Sequence, residues 1–402
     1  MLPFITRAQI RNYKSIAACN VALGPLSLLV GPNGSGKSNF LDALRFVADS
    51  LNTTLEQALR DRGGIQSVRR KSRGHPTHFG IRLDLTLNDG RAGSYAFRVG
   101  AEKGGGFVVQ REECRVGLGG PGEHHYFLVE EGRLIESSQD IPTALERDRL
   151  ALVAISGLSE FRPAWDGLRR MGFYNLNPER IRDLQEPDSG QILARDGRNL
   201  AAVIRELQRL GGRTIQEIGE HLQAVVPGVV SAEHKAIGPK ETIEFRQQVA
   251  GDSNPWRFLA ADMSDGTLRA LGILVAALQY GPAKPGRVSL IGIEEPETAL
   301  HPGAAEVIAE VLLLASKRLQ VLATTHSPDL LNHKSISHHH LLAVSAHEGE
   351  TLLGPVDEAT RSTLSDRLYS PGELLSQGPL DPDAGVILEG RKQLKLFTDR
   401  PE

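Results

Sequence analysis

Residues 31–39 of this chain read GPNGSGKSN, and the expected fold class follows from them. It matches the pattern G-x-x-x-x-G-K-[ST] through Gly31, Gly36, Lys37 and Ser38. The apolar run LSLLV before it is typical of a buried strand, and the apolar residues after it recur at helical spacing. In a strand, glycine-rich turn and helix of this kind, backbone N–H groups converge on a phosphate.

We therefore expect this turn to hold the phosphates of a nucleotide. Lys37 would reach the β and γ phosphates, and the Ser38 hydroxyl would ligate Mg²⁺. The expected nucleotide-binding residues of the turn are Asn33, Gly34, Ser35, Gly36, Lys37, Ser38 and Asn39. The alternative is a glycine-rich turn without a ligand, which the neighbouring strand and helix disfavour.

A second group of candidate residues follows the apolar run VSLIGI of residues 288–293. Because adjacent strand residues point to opposite faces, Glu294 and Glu295 are expected to have different tasks. We expect Glu294 to be a metal ligand and Glu295 to orient or deprotonate an attacking water. The alternative is a solvated pair of charges at a strand end. The expected metal ligands are thus Ser38 and Glu294.

His326 ends the following strand pattern, LQVLATTH. Its imidazole is expected to hydrogen-bond the γ-phosphate and to sense its loss, although a single histidine after a strand also fits a structural role. The expected catalytic residues are Lys37, Glu295 and His326. The run His338 to His340 is different, because consecutive residues on a strand cannot share one face, and we expect surface or packing roles there.

The stretch MSDGTLRAL, residues 263–271, predicts a second anion-binding helix end. Ser264 is a natural N-cap, and Gly266 permits close backbone approach. The first glycine-rich turn already serves the nucleotide of its own chain. We therefore predict that Ser264 and Gly266 bind the nucleotide held by a second copy of the protein, although the spacing alone fits an ordinary capped helix equally well.

Taken in order, these motifs resemble those of the ATP-binding-cassette group of P-loop ATPases. They are most similar to the non-transporter branch that contains RecF, the structural-maintenance-of-chromosomes heads and the overcoming-lysogenization-defect ATPases. The resemblance is carried by GPNGSGKS, SDGTLRAL, IGIEEPETALHP and TTHSPDLL, with the opening IRNYKSI similar to the first strand of that branch. It implies an ATPase that uses ATP and Mg²⁺ and holds ATP between two heads, so that binding closes a homodimer and hydrolysis opens it.

The resemblance also implies roles by position. The Walker A residues are Lys37 and Ser38, and the Walker B residues are Glu294 and Glu295. The signature residues, which contact the partner's nucleotide, are Ser264 and Gly266. Residues 298–301 correspond to a dimer-facing loop, and His326 corresponds to the switch histidine.

Three departures from the pattern stand out. Glu294 replaces the aspartate of many relatives, and Asp265 replaces the second residue of the usual serine-glycine-glycine signature. The glutamine that senses the γ-phosphate has no clear counterpart, and the candidates in FYNLNPERIRD are Asn175 and Asn177.

A basic stretch between residues 60 and 75 carries one acidic residue, Asp61. It is expected either to contact the phosphate backbone of DNA or to be a solvated loop. Its basic residues are Arg60, Arg62, Arg69, Arg70, Lys71 and Arg73.

Composition bounds the class of protein. A net charge of −3 disfavours coating of nucleic acid by bulk charge alone. Cys19 and Cys114 have no cysteine or histidine at metal-ligand spacing. The N-terminus lacks an uninterrupted apolar stretch, and the longest apolar run, residues 270–278, is too short to span a bilayer. We expect a cytoplasmic protein without a membrane partner.

The expected fold class is α/β, an ABC-ATPase head with a mainly parallel P-loop core sheet, a flanking antiparallel β-sheet and a helical lobe. Residues 1–140 and 226–370 form the two parts of the head, 141–225 the lobe and 371–402 a loose C-terminal extension. Asp381, Asp383 and Glu389 lie in that extension without strand-helix alternation, which disfavours a nuclease on this chain.

Two functions follow as hypotheses. In the first, ATP-dependent head dimerisation acts on DNA or gates a partner effector in DNA repair or phage defence. In the second, a regulatory module holds ATP as a nearly static ligand and binds a toxin or nuclease partner.

Overall fold

The computed structural model describes residues 2–119, 123–141, 144–211, 213–279 and 288–398. The strands are β1 (Ile5–Tyr13), β2 (Ile16–Ala22), β3 (Leu26–Val30), β4 (His78–Thr86), β5 (Ala92–Ala101), β6 (Phe107–Gly117), β7 (His124–Glu130), β8 (Arg133–Ser137), β9 (Gly172–Tyr174), β10 (Val229–Ile237), β11 (Lys240–Gln247), β12 (Trp256–Leu259), β13 (Leu290–Glu294), β14 (Gln320–Thr325), β15 (Leu341–His347) and β16 (Glu350–Pro355). The helices are α1 (Lys37–Asn52), α2 (Leu55–Arg60), α3 (Ile65–Val68), α4 (Ala151–Ile155), α5 (Arg162–Arg169), α6 (Pro178–Arg182), α7 (Leu200–Leu210), α8 (Arg213–Val225), α9 (Asp265–Leu278), α10 (Pro302–Ser316), α11 (Pro328–Leu331), α12 (Glu358–Ser365), α13 (Pro371–Gln377) and α14 (Ala384–Lys392).

The core sheet has the strand order β16-β15-β3-β14-β13-β9. Its strands from β15 to β9 pair in parallel, and β16 pairs antiparallel at the edge. Every residue of β3 and of β14 is buried. Continuous apolar runs of this kind are typical of parallel strands that are covered on both faces.

Two layers cover the core sheet. Leu29 of β3 packs with α1 and the strands of the flanking sheet, whereas its neighbours Leu28 and Val30 pack with α9 and α10 on the opposite face. The alternation follows from the two-residue period of a strand. It places α1 on one face of the core sheet and the helix that begins after Ser264 on the other.

The flanking sheet is antiparallel, in the order β2-β1-β4-β5-β6-β7-β8, and a smaller sheet has the order β10-β11-β12. Helices α4 to α8, with β9 among them, form the helical part between residues 151 and 225. The predicted fold class is confirmed. Within the described residues, no helix has both the length and the apolar character needed to cross a bilayer.

The described part of the C-terminal segment, residues 371–398, packs against the rest of the chain. The backbone N–H of Lys395 donates to Gln9 Oε1 (2.9 Å), and the Thr398 hydroxyl donates to Glu113 Oε1 (2.6 Å). Leu396 is buried. The expectation of a loose extension is therefore wrong for these residues, because a Gly- and Pro-rich composition does not exclude short helices with a few apolar anchors. Residues 399–402 lie outside the described part.

Two further expectations concern polar residues, Asp383 in this segment and the histidine run before β15. Asp383 caps α14 by accepting from the backbone N–H of Val386 (3.0 Å), and it also pairs with Arg361. His338 and His339 lie on a short 3₁₀ turn rather than on a strand, with ring centroids 3.8 Å apart.

Candidate nucleotide-binding site

The candidate residues meet at one edge of the core sheet. Strands β3, β14 and β13 are parallel neighbours, with Val30 opposite Thr325 and Glu294 opposite Thr324. Their carboxyl ends therefore lie side by side, and the loops that follow them are adjacent. The glycine-rich turn follows β3, the acidic residues end β13, and His326 follows β14.

The turn after β3 depends on glycine at three positions. Gly34 and Gly36 have φ angles of +79° and +104°, a region that side chains rarely adopt. A Cβ atom on Gly36 would lie 1.9 Å from Thr351 Oγ1, and one on Gly31 would lie 2.0 Å from the carbonyl oxygen of Val344. The backbone of the turn is thus pressed against β15 and β16.

Lys37 is folded back onto the turn. Its ammonium donates to the carbonyl oxygens of Gly31 (2.7 Å) and Pro32 (3.0 Å). Burial lowers the pKa of Lys37, and the nearby carboxylates of Glu295 and Glu297 oppose this effect. The ammonium therefore has carboxylates close by while its hydrogen bonds go to the turn.

Glu294 is paired with a residue that the motifs do not reveal. Arg195 Nη2 lies 3.0 Å from Glu294 Oε1. Arg195 reaches this position because its carbonyl accepts from the backbone N–H of Asn175, the residue after β9. Since β9 is the neighbour of β13, the end of β9 and Arg195 both lie beside Glu294.

Glu295 has a backbone conformation that the strand pattern did not predict. Its φ is +43°, and its N–H donates to the carbonyl oxygen of Thr324 (3.1 Å). It therefore lies beyond the strand, so the rule of alternating faces does not apply to it. Its Oε1 lies 3.5 Å from His326 Nδ1, and Thr298 contacts its other oxygen at 3.4 Å. Glu294 and Glu295 thus have different partners, for a reason other than the predicted one.

A third carboxylate, Glu297, was not singled out from the sequence. It is buried, and its Oε1 accepts from the Thr325 hydroxyl (2.6 Å) and from the backbone N–H of His326 (3.3 Å). Burial raises the pKa of Glu297, and these hydrogen bonds oppose the rise. Its position fixes the loop after β14, and with it the imidazole beside Glu295. The only local signal was its place in the same acidic run.

Ser264 is the N-cap of α9 and is exposed. Its Oγ accepts from the backbone N–H of Thr267 (3.3 Å). A Cβ atom on Gly266 would lie 2.7 Å from the carbonyl oxygen of Ala299, so α9 begins against the 298–301 loop. Asp265 pairs with Arg182 (2.5 Å) at the end of α6.

The two asparagine candidates differ in their surroundings. Asn177 is the N-cap of α6, because its Oδ1 accepts from the backbone N–H of Glu179 (2.9 Å). Asn175 is exposed, and no described residue hydrogen-bonds its side chain. It directly follows Tyr174, which lies opposite Ile293. The geometry therefore favours Asn175 as the residue that is free to contact a ligand beside Glu294.

The basic stretch is mostly engaged within the chain. The side chain of Arg62 is 2% exposed and pairs with Asp42 and Asp49. Arg70 donates to the carbonyl oxygen of Ser15 (2.6 Å) and lies 3.7 Å from Glu350.

The other basic residues of the stretch are nearer to solvent. Arg69 donates to Gln66 and to the carbonyl oxygen of Pro76, and Arg60 pairs with Glu56. Lys71 and Arg73 are exposed, and neither forms an ion pair with a described residue. Of the six basic residues that were expected to contact DNA, Lys71 and Arg73 are thus the two that are exposed and make no ion pair with a described residue.

The residues of this edge fit a nucleotide with a divalent cation. The hydroxyl of Ser35 is buried in the turn without a hydrogen-bond partner among the described residues, which is unusual for a group of this kind. Lys37 and the N-terminus of α1 supply positive potential next to it. The exposed Ser38 and the carboxylate of Glu294 are oxygen donors of the type that Mg²⁺ prefers.

Residues 26–332 match a protein family described as "AAA domain, putative AbiEii toxin, Type IV TA system". Over 298 residues the chain is 26% identical to the chromosome partition protein Smc of Desulfitobacterium hafniense (strain Y51), covering 67% of this chain and 22% of that protein. Over 413 residues it is 22% identical to endonuclease GajA of Bacillus cereus (strain VD045), covering 92% of this chain and 65% of that protein. The chain thus spans less than two thirds of the length of either relative.

The fold also resembles a solved structure. A crystal structure of an Smc head bound to the C-winged helix domain of ScpA matches with a TM-score of 0.56 and 15% identity, covering 89% of this chain and 99% of that one. At this level of identity the match shows the fold.

Proposed function

We propose that this chain, which belongs to the family "AAA domain, putative AbiEii toxin, Type IV TA system" and is a P-loop ATPase head of the ABC type, works as a pair of heads driven by ATP. It binds and hydrolyses Mg-ATP at a site made by two copies of the chain. ATP binding closes the pair of heads, and hydrolysis opens it.

The observation that carries this proposal is the exposed N-terminus of α9. One chain already has a phosphate-binding turn with its own helix at β3. Ser264 presents a hydroxyl to solvent at a second helix N-terminus, on the opposite side of the core sheet from α1. A second helix end with an exposed hydroxyl suits the nucleotide of a partner, whose own phosphate-binding turn supplies the rest of the contacts.

Each side chain has a role in this proposal. Lys37 leaves the carbonyl oxygens of Gly31 and Pro32 to bind the phosphates, and Ser38 with Glu294 would hold Mg²⁺, which neutralises phosphate charge. Glu295 orients the attacking water and accepts its proton. We expect His326, whose Nδ1 lies 3.5 Å from Glu295 Oε1, to donate a hydrogen bond to the γ-phosphate.

Light scattering tests the dimer. The Glu295→Gln variant removes the proposed base and preserves the side-chain volume, so it is expected to bind Mg-ATP and to accumulate as a dimer. The matched control is the same protein with Lys37→Ala, which is expected to remain monomeric. A Glu295→Gln protein that stays monomeric at saturating Mg-ATP contradicts the proposal.

Mixing two inactive variants tests the composite site directly. Lys37→Ala destroys the phosphate-binding turn, and Ser264→Ala weakens the signature, so each variant alone is expected to lose phosphate release. In a heterodimer, one site combines the intact turn of the second variant with the intact signature of the first. When the two variants pair at random in an equal mixture, about half of the dimers are heterodimers, and each of these has one complete site out of two. The mixture is therefore expected to recover roughly one quarter of the activity of the unmodified protein. Absence of recovery would mean that both residues serve one chain.

We further propose that closure of the heads acts on DNA or on a partner effector in phage defence. Support comes from the relationship to Smc, a chromosome partition protein, and to GajA, an endonuclease. Lys71 and Arg73 are the basic residues of the 60–75 stretch that are exposed and make no ion pair with a described residue. The double variant Lys71→Ala/Arg73→Ala is expected to weaken DNA binding and its salt dependence, with Arg60→Ala as the control. Equal DNA binding by all three proteins favours a protein effector.

A regulatory module with nearly static ATP is the second candidate. The ion pair between Arg195 and Glu294 supports it, because it occupies a carboxylate proposed for Mg²⁺. Steady-state phosphate release separates the two candidates. Turnover that Lys37→Ala abolishes excludes a static ligand, whereas bound ATP that is recovered intact after many hours supports one.

A further inference from the structure

The signature of this chain carries an acidic residue where the partner's phosphate is proposed to approach. Asp265 is the first residue of α9, next to Ser264, and its side chain is 61% exposed. An uncompensated carboxylate there repels a phosphate.

Arg182 lies against this carboxylate. Its Nη2 donates to Asp265 Oδ1 (2.5 Å) and to the carbonyl oxygen of Met263 (3.1 Å). The two contacts hold the guanidinium across the residues on either side of Ser264. Both use one nitrogen, and the other nitrogens of Arg182 make no hydrogen bond with a described residue.

The position of Arg182 is fixed by packing as well as by charge. It ends α6, and the preceding residue, Ile181, is fully buried against α9. A Cβ atom on Gly272 would lie 2.9 Å from Leu176 and 3.3 Å from Ile181, so the glycine in α9 permits this close approach. A carbonyl of the same segment, that of Leu176, accepts from Arg269 of α9 (2.7 Å). The segment that carries Arg182 is therefore held on α9 independently of the ion pair.

We infer that Arg182 is a positioning residue of the composite site, which neutralises Asp265 so that the signature can accept the terminal phosphate of a nucleoside triphosphate bound to a second copy of the chain. This inference rests on the proposed function. In this chain an arginine from α6 and an aspartate together replace the uncharged glycine of the usual signature. The side chain of Arg182 is 30% exposed, and its guanidinium contacts the residues on either side of the exposed Ser264.

Removal of the aspartate tests the inference by rescue. All proteins carry Glu295→Gln, and the monomer–dimer equilibrium is measured by sedimentation in saturating Mg-ATP. Arg182→Ala is expected to weaken dimerisation roughly tenfold or more, because a bare carboxylate then faces a phosphate at both symmetric sites. Asp265→Asn alone is expected to dimerise at least as well as the parent. The double variant Arg182→Ala/Asp265→Asn is expected to return to within about twofold of the parent.

Rescue separates charge from structure. Asp265→Asn does not restore the hydrogen bond to Met263, so a purely structural role for Arg182 predicts a double variant as weak as Arg182→Ala. The defect of Arg182→Ala is also expected to shrink as salt rises, because screening reduces the repulsion. A double variant without recovery, or an Arg182→Ala protein that dimerises like its parent, overturns this inference alone. A parent that remains monomeric overturns the proposed function and the inference together.

Discussion

Single residues at the nucleotide-binding edge are set by contacts with distant parts of the chain. The carboxylate of Glu294 is paired with Arg195, whose side chain is 47% exposed. A half-exposed ion pair of this kind stabilises by at most about 1 kcal/mol. It is therefore weak enough to open when a divalent cation competes for the carboxylate.

Arg195→Ala is expected to strengthen Mg²⁺-dependent ATP binding by up to about fivefold, because Glu294 then binds Mg²⁺ without first breaking its ion pair with Arg195. Binding without Mg²⁺ is expected to change little. Isothermal calorimetry at several Mg²⁺ concentrations measures the difference. The control is Arg198→Ala, a more exposed arginine with a 3.9 Å contact to Asp196. If the Mg²⁺ dependence of Arg195→Ala equals that of the control, the ion pair does not hold Glu294 back.

A second single residue, Glu112, makes stability depend on pH. It is fully buried and accepts from the backbone N–H groups of Ala151 and Leu152 and from the Tyr95 hydroxyl. Burial raises the pKa of its carboxyl from 4.5 to about 7, although these three donors oppose the rise. Between these values the folded chain holds a proton that the unfolded chain has lost. The contribution of this group to stability therefore falls as pH rises from 4.5 through 7.

Glu112→Gln removes this titration. As pH rises from 4.5 to 8, the free energy of unfolding of the unmodified protein is expected to fall by about 3 kcal/mol relative to the variant. Urea denaturation at intervals across this range measures the difference, and common effects of the other carboxylates cancel. Parallel pH profiles for the two proteins would show that Glu112 keeps an ordinary pKa.

At the scale of elements, the phosphate-binding turn is held by β16 and by the β1–β2 turn. The Thr351 hydroxyl donates to the carbonyl oxygen of Ser35 (3.0 Å) and lies 2.7 Å from Ser15 Oγ. Asn39, in the first turn of α1, donates to the same Ser15 oxygen (2.6 Å). The edge strand β16 thus fixes the conformation of the turn, although the two are far apart in the sequence.

Thr351→Val preserves the shape of the side chain and removes the hydrogen bonds of the Thr351 hydroxyl to Ser35 and Ser15. It is expected to lower the free energy of unfolding by about 1–2 kcal/mol, because the carbonyl of Ser35 is left without its donor. Nucleotide affinity is expected to fall as well, since the turn loses a fixed conformation. Denaturation and calorimetry measure the two effects. The control is Thr53→Val, at an exposed position. If Thr351→Val matches this control in both measurements, β16 does not stabilise the phosphate-binding turn.

The sequence predicted the elements that are defined by local patterns. The apolar run of β3, the glycines of the turn and the spacing of α1 are all encoded within a few residues, and they were sufficient to place Lys37 and Ser38. Arg195 and Arg182 were missed because their roles arise from the register of β9 and from the packing of α6 on α9. No pattern within their own segments distinguishes them from solvated arginines. The basic stretch was overestimated for the same reason, since the partners of Arg62 lie on α1.

At the scale of the whole molecule, one buried amide joins the core sheet to the flanking sheet. Gln320 begins β14 and is 2% exposed. Its Nε2 donates to the carbonyl oxygens of Ile5 (2.8 Å) and Gly24 (2.9 Å), and its Oε1 accepts from the N–H of Ile5 (2.8 Å). Donor and acceptor thus satisfy the backbone where β1 passes the start of the core strands.

Gln320→Leu is expected to lower the free energy of unfolding by about 2–4 kcal/mol, because it leaves the buried backbone groups of Ile5 and the part-buried carbonyl of Gly24 without this partner. Gln320→Glu is expected to lower it further, since a carboxylate would face two carbonyl oxygens in a buried site. Chemical denaturation measures both, with the exposed Gln216→Leu as a control that should change stability by only a few tenths of a kcal/mol. If Gln320→Leu behaves like that control, the apolar layers hold the two sheets together without this amide. If Gln320→Glu is the least stable protein, Gln320→Leu is intermediate and the unmodified protein is the most stable, the two hydrogen bonds that Gln320 donates hold the sheets together.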